Sequence, residues 1–92
     1  MMLKPKAPVE DFIKKFGFKY CKKPYNQCAY LCVNRGRQMI FVSPIYFDVF
    51  DWDENDPRIH KKANCRYKDI RTAIDFVYEM IKEDMLESEW EG

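Results

Sequence analysis

Cys21, Cys28, Cys32 and Cys65, with His60 as the only histidine, are the residues whose types suit a soft metal ion or thiol chemistry. They are enough in number for a tetrahedral zinc site, but their spacing works against one. Cys28-Ala29-Tyr30-Leu31-Cys32-Val33 reads as extended chain, so at roughly 3.3 Å per residue Cys28 and Cys32 stand about 13 Å apart. One tetrahedral ion does not span that distance. Small buried hydrophobes are the better description of these thiols. Cys21 and Cys28 flank a loop and become cross-strand neighbours if that loop closes a hairpin. No metal and no cofactor is expected; a metal or redox module built on the four cysteines stands as an alternative.

Hard cations and catalysis fare no better. Asp51-x-Asp53-x-Asn55 imitates the first ligands of a calcium loop, but Asp56 stands where the turn needs Gly and Lys62 where a bidentate Glu belongs. His60 and Cys65 lie five residues apart, yet neither an orienting partner nor an oxyanion site can be read beside them. With only three glycines there is no phosphate-cradling loop, and the common hydrolase and metalloprotease motifs are missing. The chain does not read as an enzyme.

The best local candidate for binding is a basic run, Arg58, His60, Lys61, Lys62, Arg66, Lys68 and Arg71, which leads into a helix start where backbone N–H groups also favour anions. Phosphate suits such a place. The order helix, three strands, helix, with Lys61-Lys62-Ala63 ahead of the last helix, resembles double-stranded RNA-binding domains. That likeness covers element order and one short motif; of the small alanines such domains pack along that helix, only Ala73 is present. It implies nucleic-acid binding through the basic run, the second reading of function.

Charge comes in blocks. Nine Lys and Arg against two acids leave +7 over residues 1–37; Asp48, Asp51, Asp53, Glu54 and Asp56 give −5; the basic run with Asp69 gives +5; the remainder gives −6. A formal net charge of +1 therefore conceals a polarised surface, which favours oriented contacts with a charged partner. Aromatic residues beyond the needs of a small core, Tyr25, Tyr30, Tyr46, Phe50, Trp52 and Trp90, are of the type that anchors protein interfaces. The leading reading is a small non-enzymatic module that docks onto a protein partner as adaptor or inhibitor. Phage and mobile-element proteins that block host factors belong to this class.

These residues need a scaffold, and 92 residues allow one domain with one core. Pro8 opens a first helix whose Val9, Phe12, Ile13 and Phe16 share a face before Gly17 ends it. Strands follow over Phe18–Cys21, Cys28–Val33 and Gln38–Ser43, joined by a loop through Lys23-Pro24-Tyr25-Asn26 and a turn at Asn34-Arg35-Gly36-Arg37. Ser43-Pro44 interrupts pairing, so Tyr46–Trp52 is a fourth strand or a bent continuation of the third. Asp53–Arg66 lacks a period and reads as the functional loop. From Tyr67 the helical period returns, with Ile70, Ala73, Ile74, Val77, Ile81 and Met85 on one face.

The expected fold class is α+β: a short N-terminal helix, a three- to four-stranded antiparallel sheet and a long C-terminal amphipathic helix. Residues 1–7 and 87–92 read as flexible ends. Both faces of the sheet are apolar, so the helices either cover one face each or share a face and leave the other for a homodimer. No stretch reaches the ~18 apolar residues of a membrane span, and no apolar leader segment is visible, so no membrane partner is expected and the location reads as cytoplasmic.

Overall fold

The computed structural model describes residues 3–60, 65 and 68–88. Lys61, Lys62, Arg66 and Trp90, and the Lys61-Lys62-Ala63 motif, lie outside the described residues. The chain is α+β, as its periodicities require. Strand β1 (Leu3–Pro5) precedes helix α1 (Val9–Phe16), and strands β2 (Lys19–Tyr20), β3 (Ala29–Val33), β4 (Gln38–Val42) and β5 (Phe47–Asp51) follow. Helix α2 (Ala73–Lys82) and strand β6 (Leu86–Ser88) complete the described fold. Strands β2 to β5 form an antiparallel meander in sequence order, and β1 pairs with β6 in a separate two-stranded ribbon.

Local chemistry accounts for the joints. Gly17 takes the left-handed conformation (φ 82°) that a side chain disfavours, and its N–H donates to the Ile13 carbonyl, ending α1. Between β3 and β4, Asn34, Arg35 and Gly36 all adopt positive φ, and the Asn34 amide donates to Gln38 Oε1 to hold the turn. The buried Ser43 hydroxyl accepts from the backbone N–H groups of Ile45 and Tyr46. That tight turn settles Phe47–Asp51 as a true fourth strand, with Val42 opposite Phe47 and Gln38 opposite Asp51.

Both helices lie on the same sheet face. Ala29, Leu31, Val33, Ile40, Val42 and Phe47 point to that side and pack with Phe12 and Phe16 of α1 and Phe76 and Met80 of α2. Tyr30, Met39 and Phe41 point to the other side, which is neither a second helix-covered face nor an open one. Residues 53–60 fold over it and insert Ile59, itself buried, beside Cys21 and Phe41. The segment expected to be a functional loop is, over its described part, a lid on the second half of the core. The apolar residues of β3 and β4 are covered on both sides, while Val49 and Phe50 on β5 stay partly exposed.

The chain ends correct a second expectation. Leu3 opposes Ser88 and Pro5 opposes Leu86, so residues within both presumed flexible ends are paired. The ribbon continues into the Lys6 N–H to Met85 carbonyl bond at 2.8 Å, and Leu86 is buried against the main core. Strands of three residues are too short to show a period, and their partner lies at the opposite end of the sequence.

Candidate docking surface

The two arginines described within the basic run are committed to the protein itself. The Nε and Nη2 of Arg58 donate to Asp56 Oδ1 and Oδ2 at 3.0 and 2.8 Å, a two-pronged grip, while its guanidinium carbon lies 3.7 Å from the Phe41 ring centroid. The Arg58 guanidinium holds the Asp56 carboxyl below its usual range, against the opposing effect of burial. Arg71 likewise donates to Asp69 and, through Nη1, to Glu79 Oε2 at 2.7 Å, and it covers the Phe76 ring at 4.2 Å. These cations are neutralised and partly shielded, which lowers the field they offer a phosphate.

The helix start is occupied as well. Thr72 caps α2 in a reciprocal box: its backbone N–H donates to Asp75 Oδ2 at 2.8 Å and its Oγ1 accepts from the Asp75 N–H. The Ala73 N–H donates to Gln38 Oε1 at 3.3 Å. The chain's own oxygens fill the place where the sequence suggested an anion. His60 is held too, its ring stacked on Tyr30 and its backbone N–H donating to the Tyr30 hydroxyl at 3.1 Å. Of the described residues of the basic run, His60 and Lys68 are exposed.

The cysteines divide between two places. Cys21 and Cys28 are indeed cross-strand neighbours, joined by a backbone hydrogen bond of 2.9 Å from the Cys21 N–H to the Cys28 carbonyl. Burial, with Cys28 adding to it, pushes the Cys21 thiol up to about 12, so it stays protonated and poorly nucleophilic near neutrality. Cys28 Sγ sits 3.1 Å from the Tyr46 hydroxyl, whose own titration is pushed up to about 12 by burial first and Cys28 second. Cys32 is buried on its strand and Cys65 is half-buried; all four are reduced thiols. Among the described residues no group of three or more His, Cys, Asp or Glu is arranged to hold a metal ion.

The aromatic candidates are also split. Tyr30 is wholly buried and serves the core, so it offers nothing to a partner. Tyr46 and Trp52 pack half-buried beneath the lid, and Phe50 sets its exposed ring edge-on against Phe41 at 5.8 Å. Tyr25 is exposed in the loop before β3. These side chains mostly build the lid-covered half of the core.

A stripe of apolar exposure lies on α2, on a side that the sequence periodicity assigns to the core. The buried face consists of Ala73, Phe76 and Met80. Ile74, Ile81 and, ahead of the helix, Ile70, all assigned to one face from the sequence, are instead 79%, 48% and 67% exposed, as is Tyr78 at 56%. Together with half-buried Val77 and the stem of Lys82, Ile74, Tyr78 and Ile81 line a shallow depression of 390 Å³. The Lys82 ammonium lies 5.2 Å from the Tyr78 ring centroid, at the border of this stripe. A signal for it exists in the sequence: from Ile70 to Met85 apolar residues cover far more of the helix circumference than one core-facing stripe needs.

No helix among the described residues is long and apolar enough to cross a membrane. Comparison with protein-family models, with curated proteins and with solved structures finds no match for this chain.

Proposed function

We propose that the protein is a non-enzymatic docking module that binds another polypeptide by packing the exposed stripe of α2 against an apolar helix face of that chain. The observation that carries this reading is the run Ile74, Tyr78 and Ile81 on α2, three large apolar side chains at helical spacing, all exposed. Single exposed apolar residues are ordinary; a continuous stripe bordered by charge is the form that helix-in-groove and helix-on-helix contacts take. Adaptor and inhibitor roles both use such a surface. The nucleic-acid reading is weaker, because Arg58 and Arg71 are tied to carboxylates and the α2 N-terminus is capped from within. A cytoplasmic location belongs to the same proposal, supported by the reduced thiols, which a reducing compartment preserves.

The test is site-specific photo-crosslinking in cells, with benzoylphenylalanine in place of Tyr78 and, as control, in place of Ile45, which is 81% exposed on the β4–β5 turn. Adducts to polypeptide from position 78 that survive nuclease, and that disappear in the Ile74→Asp, Ile81→Asp background, are expected. No adduct at position 78, or adducts to nucleic acid alone, overturns the reading.

A further inference from the structure

Resting on the docking reading, we infer that the chain seated on the α2 stripe is a second copy of the same protein, with the two α2 helices packed antiparallel about a two-fold axis near Tyr78. The argument is one of self-complementarity. A two-fold interface presents the same patch from both sides, so each feature must meet its own counterpart with its direction reversed. Ile74 and Ile81 lie about two helical turns apart, one on each side of Tyr78 along the helix. Antiparallel pairing centred there sets Ile74 against the partner's Ile81, Ile81 against the partner's Ile74, and the two Tyr78 rings near the axis. The depression bounded by Ile74, Val77, Tyr78 and Ile81 then receives a side chain from the facing helix.

The border charges fit this arrangement. At 100° per residue Asp75 and Lys82 fall on the same side of the stripe, about two turns apart. Both are exposed, and Lys82 is held beside the Tyr78 ring. Reversing the second helix places Asp75 opposite the partner's Lys82 and Lys82 opposite the partner's Asp75.

Sedimentation of the purified full chain over a wide concentration range tests the inference. A concentration-dependent dimer is expected, of modest affinity because the stripe is small. Ile74→Asp abolishes it while the circular dichroism spectrum stays native, as the side chain is exposed in the monomer. Lys82→Glu weakens the dimer about tenfold, two rim pairs being replaced by two repulsions. Adding Asp75→Lys to Lys82→Glu restores it, with spectra confirming that the helix tolerates the changed cap. A chain monomeric at every concentration, or a dimer indifferent to Ile74→Asp and Lys82→Glu, overturns the inference. If the chain is monomeric yet position 78 crosslinks to a different polypeptide, the docking reading stands and the second-copy inference falls. Absence of both dimer and crosslink removes the two together.

Discussion

Arg58 shows how a residue that reads as a ligand-binding cation becomes part of the architecture. Arg58 joins three things: its guanidinium meets the Asp56 carboxylate and the Phe41 ring, and its backbone carbonyl accepts from the Lys22 N–H at 2.8 Å. It therefore fastens the 53–60 lid to both the sheet and the loop before β3. Asp56, whose side chain is 11% exposed, is the charge that makes this tolerable. Since the Arg58 guanidinium holds the Asp56 carboxyl below its ordinary value, the pair's stabilisation is fully present above the unfolded value of about 3.9. It is lost as pH falls through the lower folded value. Asp56→Asn is expected to cost ~1–3 kcal/mol at pH 7 and to flatten the fall in stability below pH 4; urea titrations at pH 7 and pH 3 check both. The sequence showed the opposite charges two residues apart. It could not show that Phe41, seventeen positions away, supplies the surface on which they lie, because that contact depends on how the lid crosses the sheet.

Among the elements, α2 best separates what periodicity reveals from what it leaves open. Its existence, its amphipathic character and the Thr72 start are local properties, written in propensity and capping chemistry. Its rotation about its own axis is not local. Apolar residues occupy two adjoining arcs, and only the sheet decides which arc is buried; Phe76 and Met80, outside the face assigned from the sequence, are the residues that reach the core. The contrast is measurable. Met80→Ala is expected to cost ~2–5 kcal/mol, whereas Ile74→Asp, measured below the concentration of any association, is expected to change monomer stability by less than ~0.5 kcal/mol. Equal effects in chemical denaturation would mean that the helix is rotated from the position described. The sheet was easier to read, since alternation fixed which residues share a face, and the register keeps Leu31 opposite Ile40 as that alternation requires. What covers the second face was illegible for a physical reason: an irregular segment has no period to betray Ile59, the buried residue that its described part contributes.

At the scale of the molecule, blocks of charge that look polarised along the sequence meet one another in space. Lys4 with Glu87, Lys6 with Asp84 and Lys15 with Glu83 join the basic N-terminal block to the acidic C-terminal one, and Asp56 with Arg58 joins the middle two. The first three pairs are at the surface and do more to orient the chain ends than to stabilise the fold. Their number still matters, because they flank the one place where the two ends of the described chain touch. Leu3 opposite Ser88 is the outermost rung of the β1–β6 ribbon, and the strands run inward from it side by side. Tension applied between these ends pulls across the ribbon and loads its rungs one at a time, as a zip is loaded, instead of shearing them together. An optical trap holding the two ends is therefore expected to record a separate low-force opening before the sheet yields. Held by its ends, this protein gives way first at the seam that closes it, while the core beneath remains intact.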